Sequence, residues 1–100
     1  MKQYTTPEQT ARLIELGFEK PRGLADAEPS SGKWVREAYS IGELIEMLPT
    51  IVDDFTLWIG RDERSNQWFV KYHPRTLVVD TELVDALYEM IINLKEEGAI

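Results

Sequence analysis

Apolar and polar residues repeat along this chain with two different periods, and the switches between them mark its elements. From about Pro7 to Leu16 the spacing is helical, with Leu13, Ile14 and Leu16 on one side and Arg12 and Glu15 on the other. Thr6 suits the N-cap, Pro7 is preorganised for the first helical position, and Gln9 completes a capping box. Gly17 fits a left-handed residue just past the end, with Phe18 closing over Leu13. A second helix starts after Ser40, which forms the same box with Glu43, and Tyr39 staples to Leu44. Ile41, Leu44, Ile45 and Leu48 line its inner side, Glu43 and Glu46 its outer side, and Pro49 ends it.

The third helix is the longest and is expected from Asp80, as N-cap, to Gly98, with Val79 and Val84 as its hydrophobic staple. Leu83, Val84, Ala86, Leu87, Tyr88, Met90, Ile91, Ile92 and Leu94 cover more than half of its circumference. A surface helix needs one apolar stripe, so this helix is enclosed by its own domain, by a second subunit, or by both. Tyr88 and Ile92, four residues apart on its flank, are the candidates for an isologous homodimer contact.

Between the second and third helices the period shortens to two. Phe55 to Arg61 and Gln67 to His73 read as the strands of a hairpin joined by the polar loop Asp62 to Asn66. One hairpin face carries Phe55, Leu57 and Ile59 with Trp68, Val70 and Tyr72, and the other carries Thr56, Trp58 and Gly60 with Phe69 and Lys71. Pro74 stops the ladder, and Leu77 to Val79 add a last extended piece. Lys33 to Tyr39 suits a short strand. Residues 19–33, with two prolines, two glycines and adjacent serines, read as a mobile loop long enough for function. The expectation is one α+β domain over residues 1–100. A small antiparallel sheet, made of the central hairpin and a possible short strand, packs with three helices, mainly on one face.

Composition narrows what such a domain can do. Acidic residues outnumber basic ones by 18 to 11, for a net charge of −7, which opposes direct nucleic-acid or anionic-membrane binding. Positive charge is concentrated only in residues 61–75, where Arg61, Arg64, Lys71 and Arg75 outweigh Asp62 and Glu63. The chain has no cysteine, which excludes disulfides and thiolate chemistry, and no apolar run long enough to span a membrane. Met1 to Gln9 lack a signal-peptide core, so the expected location is cytoplasmic.

Candidate chemistry is sparse. His73 is the sole histidine and sits at a strand end. Asp53 and Asp54 are adjacent, which in an extended segment sends them to opposite faces and suits a solvated turn. Gly32-Lys33 lacks the glycine spacing and hydroxyl residue of a phosphate loop. No cofactor or metal is expected. On the last helix, Glu82, Asp85, Glu89, Asn93 and Glu96 form a polar stripe, which fits a solvated face or, alternatively, an acidic nucleic-acid mimic that inhibits by occupying a basic site.

Tyr4-Thr5-Thr6-Pro7-Glu8-Gln9 with Leu13-Ile14-Glu15-Leu16-Gly17, then Tyr39-Ser40-Ile41-Gly42-Glu43-Leu44, and finally Leu83-Val84-Asp85-Ala86-Leu87-Tyr88-Glu89-Met90 carry a resemblance. Together they resemble small uncharacterised proteins of prophages and mobile elements in gut bacteria of the Bacteroides type. The resemblance implies a phage-related accessory or interaction protein and brings no catalytic or binding residue with it. The expected function is therefore a non-enzymatic protein-interaction module. Its partner surface is the hairpin, where Trp58 and Phe69 supply apolar anchors and Arg61, Arg64 and Lys71 a cationic rim. The rival from another class is a small ligand-binding domain or enzyme using residues 19–33 and His73.

Overall fold

A computed structural model describes residues 2–22, 24–27 and 35–100, with backbone alone at 24–27 and 35–36. The elements follow in the order α1 (Pro7–Glu15), β1 (Leu24–Ala27), β2 (Val35–Glu37), α2 (Ile41–Met47), β3 (Ile51–Val52), β4 (Phe55–Thr56), β5 (Trp58–Asp62), β6 (Gln67–Tyr72), β7 (Thr76–Asp80) and α3 (Leu83–Glu96). This is an α+β fold whose last helix is its longest. Its main sheet is the antiparallel meander β5-β6-β7, and β1-β2 and β3-β4 form separate two-stranded hairpins.

Both short helices are held by the capping boxes expected of them. Thr6 Oγ1 accepts from Gln9 N and the Gln9 side chain accepts from Thr6 N, and Ser40 and Glu43 make the same exchange. Gly17, at φ +98°, closes α1 with Gly17 N–H to Ile14 O and Phe18 N–H to Leu13 O, the paired bonds of a Schellman end. Gly98 closes α3 in the same way, through Lys95 O and Leu94 O.

The start of α3 differs from the expectation. Asp80 is the last residue of β7, paired with Trp68 across the ladder, and the N-cap is Glu82 with no side-chain capping bond. The Asp80 carboxylate still accepts the Glu82 N–H, so it serves the bend into the helix. Val79 cannot staple to Val84, because strand alternation sends it to the opposite sheet face, where it is exposed.

Two further corrections concern strands. The 19–33 segment is not all loop: Leu24–Ala27 form β1, which pairs with β2, while residues 23 and 28–33 lie outside the described residues, as does Trp34. The expected strand over Phe55 to Arg61 is two strands, since Leu57 N–H bonds to Thr50 O and β4 pairs with β3 rather than β6. Asp53 and Asp54, at φ 51° and 70°, form the two-residue turn between β3 and β4, the left-handed pair that a tight hairpin requires. In α2, Ile45 is on the exposed side rather than the inner one.

The core lies between one sheet face and the helices. Leu83, Val84, Ala86, Leu87, Met90, Ile91 and Leu94 of α3 are buried with Val70, Tyr72 and Val78 of the sheet, Leu44 and Leu48 around α2, Leu13 of α1, and Tyr39. Tyr72 Oη donates to Pro49 O at 2.6 Å, tying the sheet to the end of α2, and its burial pushes the phenol up to about 12. Thr5, fully buried, accepts Tyr39 N–H on its hydroxyl and donates its own N–H to Tyr39 O.

Candidate functional site

Register fixes which side chains share a face, because residues opposite each other on neighbouring strands point the same way. Across β5-β6-β7 the inward rows are Ile59–Val70–Val78, Arg61–Trp68–Asp80 and the pair Tyr72–Thr76. The outward rows are Trp58–Lys71–Leu77 and Gly60–Phe69–Val79, with the pair Asp62–Gln67 beyond them.

The outward face carries three of the large apolar side chains that are exposed among the described residues. Trp58 is 61% exposed, Leu77 60% and Val79 45%. The far edge of the Phe69 ring lies over Gly60, so closely that a Cβ built at Gly60 would come 2.4 Å from the ring's Cζ. The Lys71 ammonium sits 5.1 Å from the Phe69 centroid, on the negative face of the ring. Gln67, Phe69, Lys71, His73, Leu77 and Val79 of the β6–β7 region, together with Asp62 and Ser65, line a groove of about 420 Å³.

The proposed partner-binding residues do not all stand together. Trp58, Phe69 and Lys71 share the outward face. Arg61 turns the other way: its guanidinium lies 5.7 Å from the centre of the Trp68 ring and donates to Asn66 Oδ1. Arg64 is exposed in the loop between β5 and β6. Arg75, expected to belong to the positive excess, is neutralised by Asp53 at 2.6 Å and Glu97 at 2.5 Å and clamps the β3–β4 turn to the end of α3. Leu77 and Val79 complete the face and were legible only as an extended piece and half of a staple. Their alternation with Thr76, Val78 and Asp80 is the signal that identifies them as the outward residues of a third strand.

The remaining candidates disperse. His73 is exposed in the turn closed by Arg75 N–H to Tyr72 O, where the His73–Pro74 peptide is cis. It lines the outward groove, whereas Glu19, Lys20 and Arg22 line a separate concavity with Phe18, Tyr39, Glu43, Glu46 and Met47. In that second concavity Arg22 is paired with Glu46 at 2.5 Å, and Tyr39 Oη donates to Glu19 O. Burial and the nearby Glu43 and Glu37 charges raise the Tyr39 phenol, so it is a hydrogen-bond donor and not a base. Among the described residues no group of three or more His, Asp or Glu is placed to hold a metal ion, and no helix is long and apolar enough to cross a membrane.

The acidic stripe of α3 is partly occupied from within. Glu82 accepts the Lys2 backbone N–H, and Asp85 accepts Lys2 Nζ at 2.7 Å and Gln9 Nε2 at 2.8 Å. Of its acids, Glu89 and Glu96 are exposed, whereas Glu82 and Asp85 are half-buried. Tyr88 and Ile92 are half-buried against the core. Burial raises the Tyr88 phenol, and the Arg12 charge partly offsets this. No family model, no curated protein and no solved structure matches this chain.

Proposed function

We propose that this chain is a non-enzymatic protein-interaction module, a cytoplasmic accessory factor of a phage or mobile element, whose contact surface is the outward face of β5-β6-β7. The observation that carries this reading is that Trp58, Leu77 and Val79 share one open sheet face with Phe69. A tryptophan ringed by smaller apolar residues and one cation is the composition of an interface anchor. Against the enzyme alternative stands the separation of its candidates among the described residues: His73 lines the outward groove, whereas Glu19, Lys20 and Arg22 line a different concavity.

The test compares Trp58→Ala with Leu87→Ala, using each as bait for proteins of a bacterial host lysate. Trp58→Ala is expected to lose the partner retained by the wild type while changing stability by about 1 kcal/mol or less, as an exposed site does. Leu87 is fully buried, so Leu87→Ala is expected to cost about 2–5 kcal/mol. Leu57 is a poorer core control, because it is only partly buried. If Trp58→Ala retains the same partner as the wild type, the outward face is not the contact surface.

A further inference from the structure

We infer that the free edge of β7 accepts an extended, acidic segment of the partner protein as a fourth antiparallel strand. The inference rests on the interaction-module reading and gives it a mode of contact. Strand order leaves β7 at the sheet margin, with β6 its one ladder neighbour among the described residues. Proteins usually blunt such an edge with proline, an outward lysine or a bulge. Thr76–Asp80 has no proline, lysine or bulge: its register with β6 is continuous over five pairs, its outward side chains are Leu77 and Val79, and its one charge, Asp80, is the last residue of the strand. The opposite margin, β5, is a poorer template, because its outward positions include the side-chain-free Gly60 and the charged Asp62. Main-chain bonds along β7 supply affinity, and the groove beside it supplies side-chain selection.

Charge selects the occupant. Lys2, Arg12, Arg22 and Arg75 each have a carboxylate partner, whereas Arg61, Arg64 and Lys71 have none among the described residues. Of these, Lys71 alone stands on the outward face and on the strand next to the open edge, an unneutralised cation in a chain of net −7. Neighbouring strands lie ~4.8 Å apart, so a residue opposite Leu77 would be ~10 Å from the Lys71 backbone, within joint reach of a lysine and a glutamate side chain. A residue two positions earlier in the added strand, opposite Val79, would continue the Phe69–Val79 row. The segment thus carries an apolar residue and, two positions later, a carboxylate.

The probe is an end-blocked synthetic peptide, Thr-Thr-Leu-Thr-Glu-Thr-Thr, titrated to millimolar concentration against the full chain at low salt and followed by amide NMR and hydrogen exchange. The expected result is slowed exchange at Leu77 or Val79 and binding about tenfold weaker when Lys replaces Glu in the peptide. Lys71→Glu should reverse that preference. Counterparts N-methylated at alternate residues, in both phases, should include one that fails to bind, since it blocks the edge bonds while keeping the side chains. If both methylated peptides bind as well as the parent and Trp58→Ala weakens them, the outward face is the contact surface and strand addition is wrong. Absence of any binding, or indifference to the Lys71→Glu reversal, also overturns strand addition. The lysate comparison of Trp58→Ala with the wild type then decides the module reading independently.

Discussion

A glycine in the middle of a strand weakens it unless something needs the space, and at Gly60 the Phe69 ring occupies that space. The ring covers bare backbone, and Lys71 in turn covers the ring, so the outward face is shaped by the missing side chain as much as by those present. Gly60→Val should push the ring off the strand, because the colliding atoms are the far edge of a side chain on an open surface. Stability is expected to change by about 1 kcal/mol or less, the loss of Phe69 contact being offset by better strand propensity. Partner capture should fall as it does in Trp58→Ala. A variant with the Phe69 ring resonances and the capture both unchanged would show that the close approach does not shape the binding surface. The fully buried Thr5 and the exposed Trp58 give the same lesson in reverse: local pattern marks a residue as polar or apolar, but the neighbouring element decides whether it faces water.

At the scale of elements, the parts legible in the sequence are those whose cause is local. The Thr6–Gln9 and Ser40–Glu43 boxes and the glycine ends at Gly17 and Gly98 lie within a few residues of the bonds they make, and all are present. The hairpin faces follow from alternation alone, so the grouping of Trp58 with Phe69 was readable. Pairing is different. Whether Leu57 continues a strand depends on Thr50, and whether Asp80 caps a helix or ends a strand depends on Trp68, contacts that no short window contains. Arg61 was placed on the rim because its charge was counted without its strand parity. Asp53-Asp54 was legible as a turn, but not as the left-handed turn of a tight β3–β4 hairpin, because it lacks the glycine that usually signals such a pair. That absence is testable. Asp54→Gly relieves a positive φ at 70° and leaves the Asp53–Arg75 pair in place, so it should stabilise the fold by up to about 1 kcal/mol. A lower urea midpoint for Asp54→Gly would mean that the aspartate makes a compensating contact at this turn.

On the scale of the whole molecule, the chain is a slab, 47 × 35 Å across and 17 Å thick. The last helix lies against one side of the main sheet, and the other side carries Trp58, Leu77 and Val79, three of the large apolar residues exposed among those described. Beside the buried Thr5 and Leu13, polar contacts hold the N-terminal segment: Lys2 to Glu82 and Asp85, Gln9 to Asp85, and Tyr4 in a bridge to Ser40. Asp85 is the centre of this strap. Burial alone would raise its carboxyl, but the hydrogen bonds from Lys2 and Gln9 and the Lys2 charge outweigh burial and hold it below its ordinary value of 3.8. A carboxyl depressed in the folded state stabilises that state fully above its ordinary value, and the contribution is lost as pH falls through the lower, folded value. Urea unfolding of wild type and Asp85→Asn should therefore differ at neutral pH, with the variant less stable, and converge in acid once the wild-type carboxyl is protonated. Lys2→Met should show the same convergence, because it removes the other half of the pair. A gap that stays constant from neutral to acid pH would mean that Asp85 acts through shape alone, leaving the N-terminal strap without its electrostatic anchor.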